Sequence, residues 1–528
     1  MAIGAAVGES RLRGCLVTSA CTGASLPAGE LTPGLEAADR WTDEAVSAAG
    51  IPVRQADFVT VGGGIGSFVT VDYLRIAGMP KSSVRVLTNL DHPWQTYEYL
   101  TRVSQIPRTE RIRSDSASRP DNIWGFPSYA VQEAVRRRTL SPLWQVAVEP
   151  VFADFYTPRL GMVLDGVERE ARRIGYRDMV VPGEVRMVRR RVGGGYFTVL
   201  TPKPGTSSVK RIAVRSRDVH LAVGYPGLKY LPDLQRFRTD HRDFFHAVNA
   251  YEDHEHVYTT VQHRAGTVLI RGGGIVASRI LDRLMRDRAR YGLQTRIVHL
   301  FRTYVDGPHG EHPWSRRRGG HGFAYQGFNY PKSVWGGQLK ARMRRLDGQQ
   351  RASAYAEMGG TTTAFRRGWQ RQLAEGRRAG WYRTMTGTIE RMCPRGPNQL
   401  LVRIRADEGP VEVPVDFVID CTGLEADVTE HRVLGDLLRH GGAERNPLGR
   451  LEVERTFELR GTASGDGRLY VSGAAALGGY FPGVDTFLGL QIAAQEIADD
   501  LARRGTCNRI GTVRSVTQWL RWMTDREI

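Results

Sequence analysis

The chain has 528 residues, 41% hydrophobic and 25% charged, and its 74 Lys and Arg against 56 Asp and Glu give a net charge of +18. That length accommodates two or three domains around a large core, and no apolar run approaches the roughly 18 residues of a membrane span. Five scattered cysteines (Cys15, Cys21, Cys393, Cys421 and Cys507) with no C-x-x-C pair exclude a disulfide framework and a redox-active disulfide.

Residues 1 to 55 are rich in small residues, and Glu9, Arg11 and Arg13 interrupt any signal-peptide core. They read as a poorly ordered leader, and the expected location is cytoplasmic. DFVTV, ending at Val61, is a β-branched run bounded by turn residues and predicts a buried strand. Gly62, Gly63 and Gly64 follow, then Ile65, Gly66 and Ser67, then a helical pattern ending at Gly78. The spacing Gly62-x-Gly64-x-x-Ser67 suits a dinucleotide turn. The first glycine makes the bend and the second lets the pyrophosphate approach the helix N-terminus. The third slot, here Ser67, permits close helix–strand packing. SVRVLT then predicts the next strand, with Thr88 in the slot where an acidic ribose contact is usual.

YTPRLGMVLDGVEREARR predicts an amphipathic helix, EVRMVRRRVGGGYFTVL two strands about a glycine hairpin, and RIAVRSRDVHLAVGYPG further strands ending in a turn. The arginine runs at Arg189–Arg191 and Arg316–Arg318 have no interleaved aromatics, so they read as solvated surface and nucleic acid is not an expected partner. His254 and His256 would share a face of a strand, but with His263 they complete no ligand set, and no metal is expected.

A second glycine turn, Gly272-x-Gly274-x-x-Ala277, follows the run TVLIR and opens another helical pattern. Its next strand, TRIVHLF, ends at Arg302 with no carboxylate, which suits the 2′-phosphate of NADPH and would not select NADH. A single such turn is weak evidence. Two, each between strands and opening a helix, point to two βαβ units. VEVPVDFVID then ends on Cys421-Thr422-Gly423, and RLYVSGAAALGG precedes a long C-terminal helix pattern.

In this order the segments resemble the two-dinucleotide-domain flavoproteins, most of all the class B flavin monooxygenases: N-hydroxylating, flavin-containing and Baeyer–Villiger enzymes. LAVGYPGLKYLPDL is similar to their A-T-G-x-P-x-x-P crossing, and Asp416 through Gly423 to D-x-x-x-x-A-T-G-Y. The Baeyer–Villiger fingerprint F-x-G-x-x-x-H-x-x-x-W is absent, only Phe245-His246 and Tyr251 standing in its region. The resemblance implies an α/β fold with two Rossmann-like domains. The FAD domain (56–262 and 401–510) would be split by an NAD(P) domain (263–400), with a tail at 511–528.

The resemblance also implies FAD at Gly62, Gly64, Gly66 and Ser67, completed by Thr422, Gly423, Gly473 and Asp485. NADPH would sit at Gly272, Gly274, Ala277 and Arg302. Trp94 would pack on the flavin ring and Gln105 would stand beside it, although Trp94 and Tyr97 read equally well as core aromatics. The implied activity is an FAD- and NADPH-dependent monooxygenase that uses O2 on a small-molecule substrate through a peroxyflavin. A reductase or oxidase without hydroxylation, and a nucleotide-bound scaffold without turnover, are the alternatives. Neither the substrate nor the oligomeric state follows from the residues.

Overall fold

The computed structural model describes residues 29–112, 128–152, 156–309, 318–325, 338–358 and 367–528. Cys15, Cys21, Arg316 and Arg317 lie outside them. The strands in chain order are β1 (Arg40–Trp41), β2 (Val53–Gln55), β3 (Phe58–Val61), β4 (Val84–Thr88), β5 (Val180–Arg191), β6 (Tyr196–Pro202), β7 (Ile212–Ser216), β8 (Asp218–Leu221), β9 (Ala247–Asn249), β10 (Thr267–Arg271), β11 (Arg296–Phe301), β12 (Arg318–Gly320), β13 (Phe323–Tyr325), β14 (Tyr382–Thr386), β15 (Thr388–Pro394), β16 (Leu400–Ala406), β17 (Gly409–Val415), β18 (Phe417–Asp420) and β19 (Leu469–Val471).

Two separate sheets dominate. The first runs β19-β8-β3-β4-β5-β6-β7-β2, with β1 also paired to β5. Its β19, β8, β3, β4 and the start of β5 are mutually parallel, and β5, β6 and β7 continue as an antiparallel meander around the glycine hairpin. Strand β3 is buried throughout, as a parallel strand covered on both faces must be. Helix Ile65–Ile76 packs on helix Phe487–Arg503 over this layer. The second sheet, β14-β11-β10-β18-β9, is parallel throughout, and β15, β16 and β17 form a separate antiparallel meander. The fold is α/β, as expected, and the strands that precede the two glycine turns lie in different sheets.

Three expectations about organisation are corrected. Residues 29–55 are not a poorly ordered leader. Thr32 and Thr42 cap two short helices, Pro33–Ala37 and Asp43–Ala48, and β1 and β2 join the first sheet. Leu35, Trp41, Val46 and Ile51 close a small core against Met187, Phe197, Val199 and Ala213, and the Trp41 indole N–H donates to the Leu35 carbonyl. Next, the second domain reaches beyond 263–400, because β9 and β18 both belong to the β10 sheet. Finally, residues 338–358 return to the first domain. Met343 and Ala354 enter its core, Arg344 pairs with Glu496 at 2.9 Å and Arg351 with Glu452 at 2.8 Å. The tail is ordered as helix Thr512–Met523, whose Trp522 is buried beneath the Arg169 guanidinium and against Tyr129. Among the described residues no helix is long and apolar enough to cross a membrane.

Candidate functional site

Each glycine turn sits at the carboxyl end of its parallel sheet, where open α/β sheets bind ligands. In the first, Gly62 takes φ +94°, and a Cβ there would stand 2.5 Å from the Ala222 carbonyl oxygen at the end of β8. Gly63 packs so close to the Thr88 side chain that a Cβ would clash with its hydroxyl. Gly64 faces open space and is the N-cap of helix Ile65–Ile76, with no side chain capping it. The N–H groups of Gly63 and Gly64 find no protein acceptor among the described residues. Free donors at a helix N-terminus without a Cβ form a cradle for an anionic pyrophosphate. The pyrophosphate of a dinucleotide such as FAD would therefore fit this turn, against the Gly63 and Gly64 N–H groups. Gly66 lies in the helix against Ala222 and Leu490, so it serves packing. Gly473, φ +75°, follows β19 at the same end of the sheet.

A buried polar chain runs beneath this turn. Ser67 Oγ accepts from Thr60 Oγ1 at 3.0 Å, Thr60 Oγ1 lies 3.0 Å from His220 Nδ1, and His220 Nε2 lies 2.9 Å from Ser472 Oγ. All four residues are buried, and desolvation pushes the His220 pKa down to about 3, so the ring is neutral. The chain ties the helix opened by the first turn to the Ser472-Gly473 turn. Thr88, in the ribose slot, is buried and accepts from the Leu90 N–H. Asp485 accepts from the Tyr225 hydroxyl at 2.8 Å, linking the Gly224–Gly227 crossing to the residue before the Thr486 cap of helix Phe487–Arg503.

In the second turn Gly272 takes φ +125°, and a Cβ would stand 2.9 Å from the Cys421 carbonyl oxygen. Gly274 caps helix Ile275–Tyr291 without a side-chain bond, and the Gly273 and Gly274 N–H groups find no protein acceptor among the described residues. This turn fits a second pyrophosphate. Ala277 is buried in the helix's first turn. Arg302, one residue past β11, is exposed and makes no ion pair among the described residues. Arg271 is unavailable for such a role, being buried with 2.6 Å bonds to both Asp233 and Asp420. Thr422 and Gly423 were expected with FAD. They follow β18, and so stand beside the second turn, with the Thr422 N–H donating to Asp420 at 3.0 Å. The reason is that β18, broken from β17 at Asp416, pairs with β10 and not with a strand of the first sheet.

Trp94 donates to Glu168 at 2.9 Å and stacks on His92, while Tyr97 meets Phe487 edge-on. Gln105 holds φ +61° and accepts from Arg283 Nη1 at 3.0 Å. A cavity of about 920 Å³ opens between helix Gln95–Val103 and helix Ile275–Tyr291, lined in part by Tyr99, Gln105, Arg108, Arg283 and Tyr291. His254 caps a helix that contains His256, so the two share no strand face. Among the described residues no group of His, Cys, Asp and Glu could hold a metal. His220, Ser472, His299 and Tyr225 were not anticipated. A histidine inside the apolar runs DVHLAVG and RIVHLF was the available signal, since a buried polar group needs a partner.

No protein-family model matches the chain, and no curated protein matches it in sequence. Solved structures do. The ornithine N-hydroxylase of Kutzneria sp. 744, solved with reduced FAD, NADP+ and L-ornithine, superposes with a TM-score of 0.60 at 14% identity, covering 86% of this chain and 100% of that one. The ornithine hydroxylase of Pseudomonas aeruginosa gives 0.58 at 15% identity, covering 85% and 99%. The FAD-bound cadaverine monooxygenase of Erwinia amylovora gives 0.59 at 12% identity, covering 90% and 95%. The chain shares their fold over nearly the full length of each.

Proposed function

We propose that this chain is an FAD- and NADPH-dependent monooxygenase that oxygenates an amine nitrogen of a small molecule. The observation that carries the reading is the pair of uncapped glycine turns on two separate parallel sheets, in a fold shared with N-hydroxylating enzymes solved with FAD or NADP+.

The chain's own part is to bind and orient. Gly63 and Gly64 offer backbone donors to the FAD pyrophosphate, and the Ser67–Thr60–His220–Ser472 chain fixes the helix behind them against the Gly473 turn. Gly273 and Gly274 would do the same for NADPH, and the exposed Arg302 just past β11 would bind the 2′-phosphate. FAD, once bound, supplies the redox and oxygen chemistry, for which few ionisable protein groups are needed.

The test is to follow NADPH, O2 and H2O2 with purified protein and a panel of primary amines, including diamines and basic amino acids. The reading expects one amine to suppress H2O2 release while a hydroxylamine accumulates. NADPH oxidation that yields only H2O2 with every amine would make the chain an oxidase, and a colourless protein that oxidises no NADPH would make it a scaffold.

A further inference from the structure

His299 sits in β11 and is fully buried, stacked on Phe301 at 4.1 Å with Phe323 edge-on at 5.3 Å. Its Nε2 lies 2.6 Å from the carbonyl oxygen of Gly272, and its Nδ1 lies 3.1 Å from the Tyr382 hydroxyl on β14. A carbonyl only accepts, so Nε2 carries the ring proton and Nδ1 accepts from Tyr382. The tautomer is therefore set by the two partners.

The consequence falls on the glycine turn. In a trans peptide the C=O of one residue and the N–H of the next point in opposite directions. With the Gly272 carbonyl directed at His299 on β11, the Gly273 N–H must point away from that strand. Helix Ile275–Tyr291 begins directly after this peptide, and the Gly273 N–H has no protein acceptor among the described residues. Only a residue tolerant of φ +125° can hold Gly272 in this orientation.

We propose that His299 is a positioning residue of the nucleotide site: it pins the Gly272 carbonyl so that the Gly273 N–H is aimed at the nucleotide pyrophosphate, with Tyr382 fixing its tautomer. The inference rests on the reading of this turn as the NADPH site. It makes a claim that reading does not, because the pyrophosphate is common to NADPH and NADH. Losing His299 must weaken both nucleotides equally.

The experiment measures dissociation constants of NADPH and NADH by titration calorimetry for wild type, His299→Leu and His299→Gln, with FAD content recorded for each. His299→Leu should raise both constants by about tenfold, leaving their ratio and the FAD content unchanged. The Gln amide can still donate to the Gly272 carbonyl, so His299→Gln should recover both to within about threefold of wild type. If His299→Leu does not fold, Tyr382→Phe carries the test. It keeps the ring volume, removes the donor to Nδ1, and should raise both constants by about threefold. Wild-type constants in His299→Leu, or in Tyr382→Phe where that variant carries the test, overturn the inference alone, as does a Gln variant as weak as the Leu one. A wild-type protein that binds neither nucleotide overturns the site reading and this inference with it.

Discussion

Gln105 and Arg283 meet across the two domains: the glutamine, in a left-handed backbone conformation just after helix Gln95–Val103, accepts from Arg283 Nη1 at 3.0 Å. One turn earlier on the same arginine helix, Arg279 reaches Glu110 at 2.9 Å. These two contacts, spaced i, i+4 along Ile275–Tyr291, hold the second domain against the loop 105–110 of the first. Replacing both arginines by methionine should leave FAD content and NADPH affinity within about twofold of wild type. Flavin reduction by NADPH should slow by about tenfold or more, because a small misplacement between reacting groups is costly. Stopped-flow reduction at saturating NADPH checks this, and an unchanged rate would show that other contacts set the domain orientation.

Gly62 and Gly64 should fail differently. Gly64 faces open space, so Gly64→Val should fold and melt like the apoprotein yet copurify with little FAD. Gly62→Ala puts a Cβ on a residue at φ +94° and against the Ala222 carbonyl, and should cost about 1–3 kcal/mol of stability. Thermal melts with and without added FAD separate the two outcomes. A Gly64→Val protein with full flavin content would remove the first turn from the FAD site.

Arg302→Ala should weaken NADPH by about tenfold and leave NADH nearly unchanged, with flavin intact. An exposed guanidinium at this position would make two charge-assisted bonds to a 2′-phosphate under the proposed reading, and screening keeps the effect at the low end of such contacts. Equal losses for both nucleotides would make Arg302 structural. The contrast with His299→Leu is built in, since only Arg302 should alter the preference between the two.

The two buried histidines should leave an acid signature. Burial holds His220 near pKa 3 and His299 near 4, against 6.5 for an exposed imidazole. The unfolded chain takes up both protons as pH falls below about 6.5, and the folded chain does not. Stability is therefore complete above that pH and declines on acidification until the folded pKa values are reached. Each ring contributes a slope of up to about 1.4 kcal/mol per pH unit. Melting temperatures between pH 7 and 4.5 should fall less steeply for His220→Gln and His299→Gln than for wild type. Parallel slopes would show that both rings already protonate in the folded state.

Trp41→Ala should destabilise the first domain by about 3–5 kcal/mol, since the indole fills the core between the N-terminal segment and β5–β7. A melting temperature unchanged in this variant would return residues 29–55 to the status of a leader.

Much of the fold was legible because its signals are local. The glycine turns, the strands that precede them, the hairpin at Gly193–Gly195 and the helix through Leu160–Arg173 each announce themselves in period and turn chemistry. Residues 29–55 were misread on composition, although Thr32-Pro33 and Thr42-Asp43-Glu44 are ordinary helix starts. The other misses were non-local. Nothing near Phe417 states that β18 pairs with β10, and nothing near Arg351 states that its partner is Glu452. The Gly272–His299 bond was illegible for the same reason: the sequence shows a histidine in a strand, and only the packing shows which carbonyl it faces.

The pairing of β19 with β8 also dictates an order of events during synthesis. Leu469 must find Val219, about 250 residues upstream, which at ribosomal speed is some 10–50 s of translation. Through that interval the edge of β8 that will receive β19 has no partner strand, whereas the last strand of the second sheet ends at Asp420, before β19 is made. The nested domain can thus close around itself before its host does. The host waits with an open sheet edge, the feature most prone to recruit a stray strand from another nascent chain. Slow codons or a chaperone acting between residues 421 and 469, after the last strand of the second sheet, would affect the yield of the first domain more than that of the second.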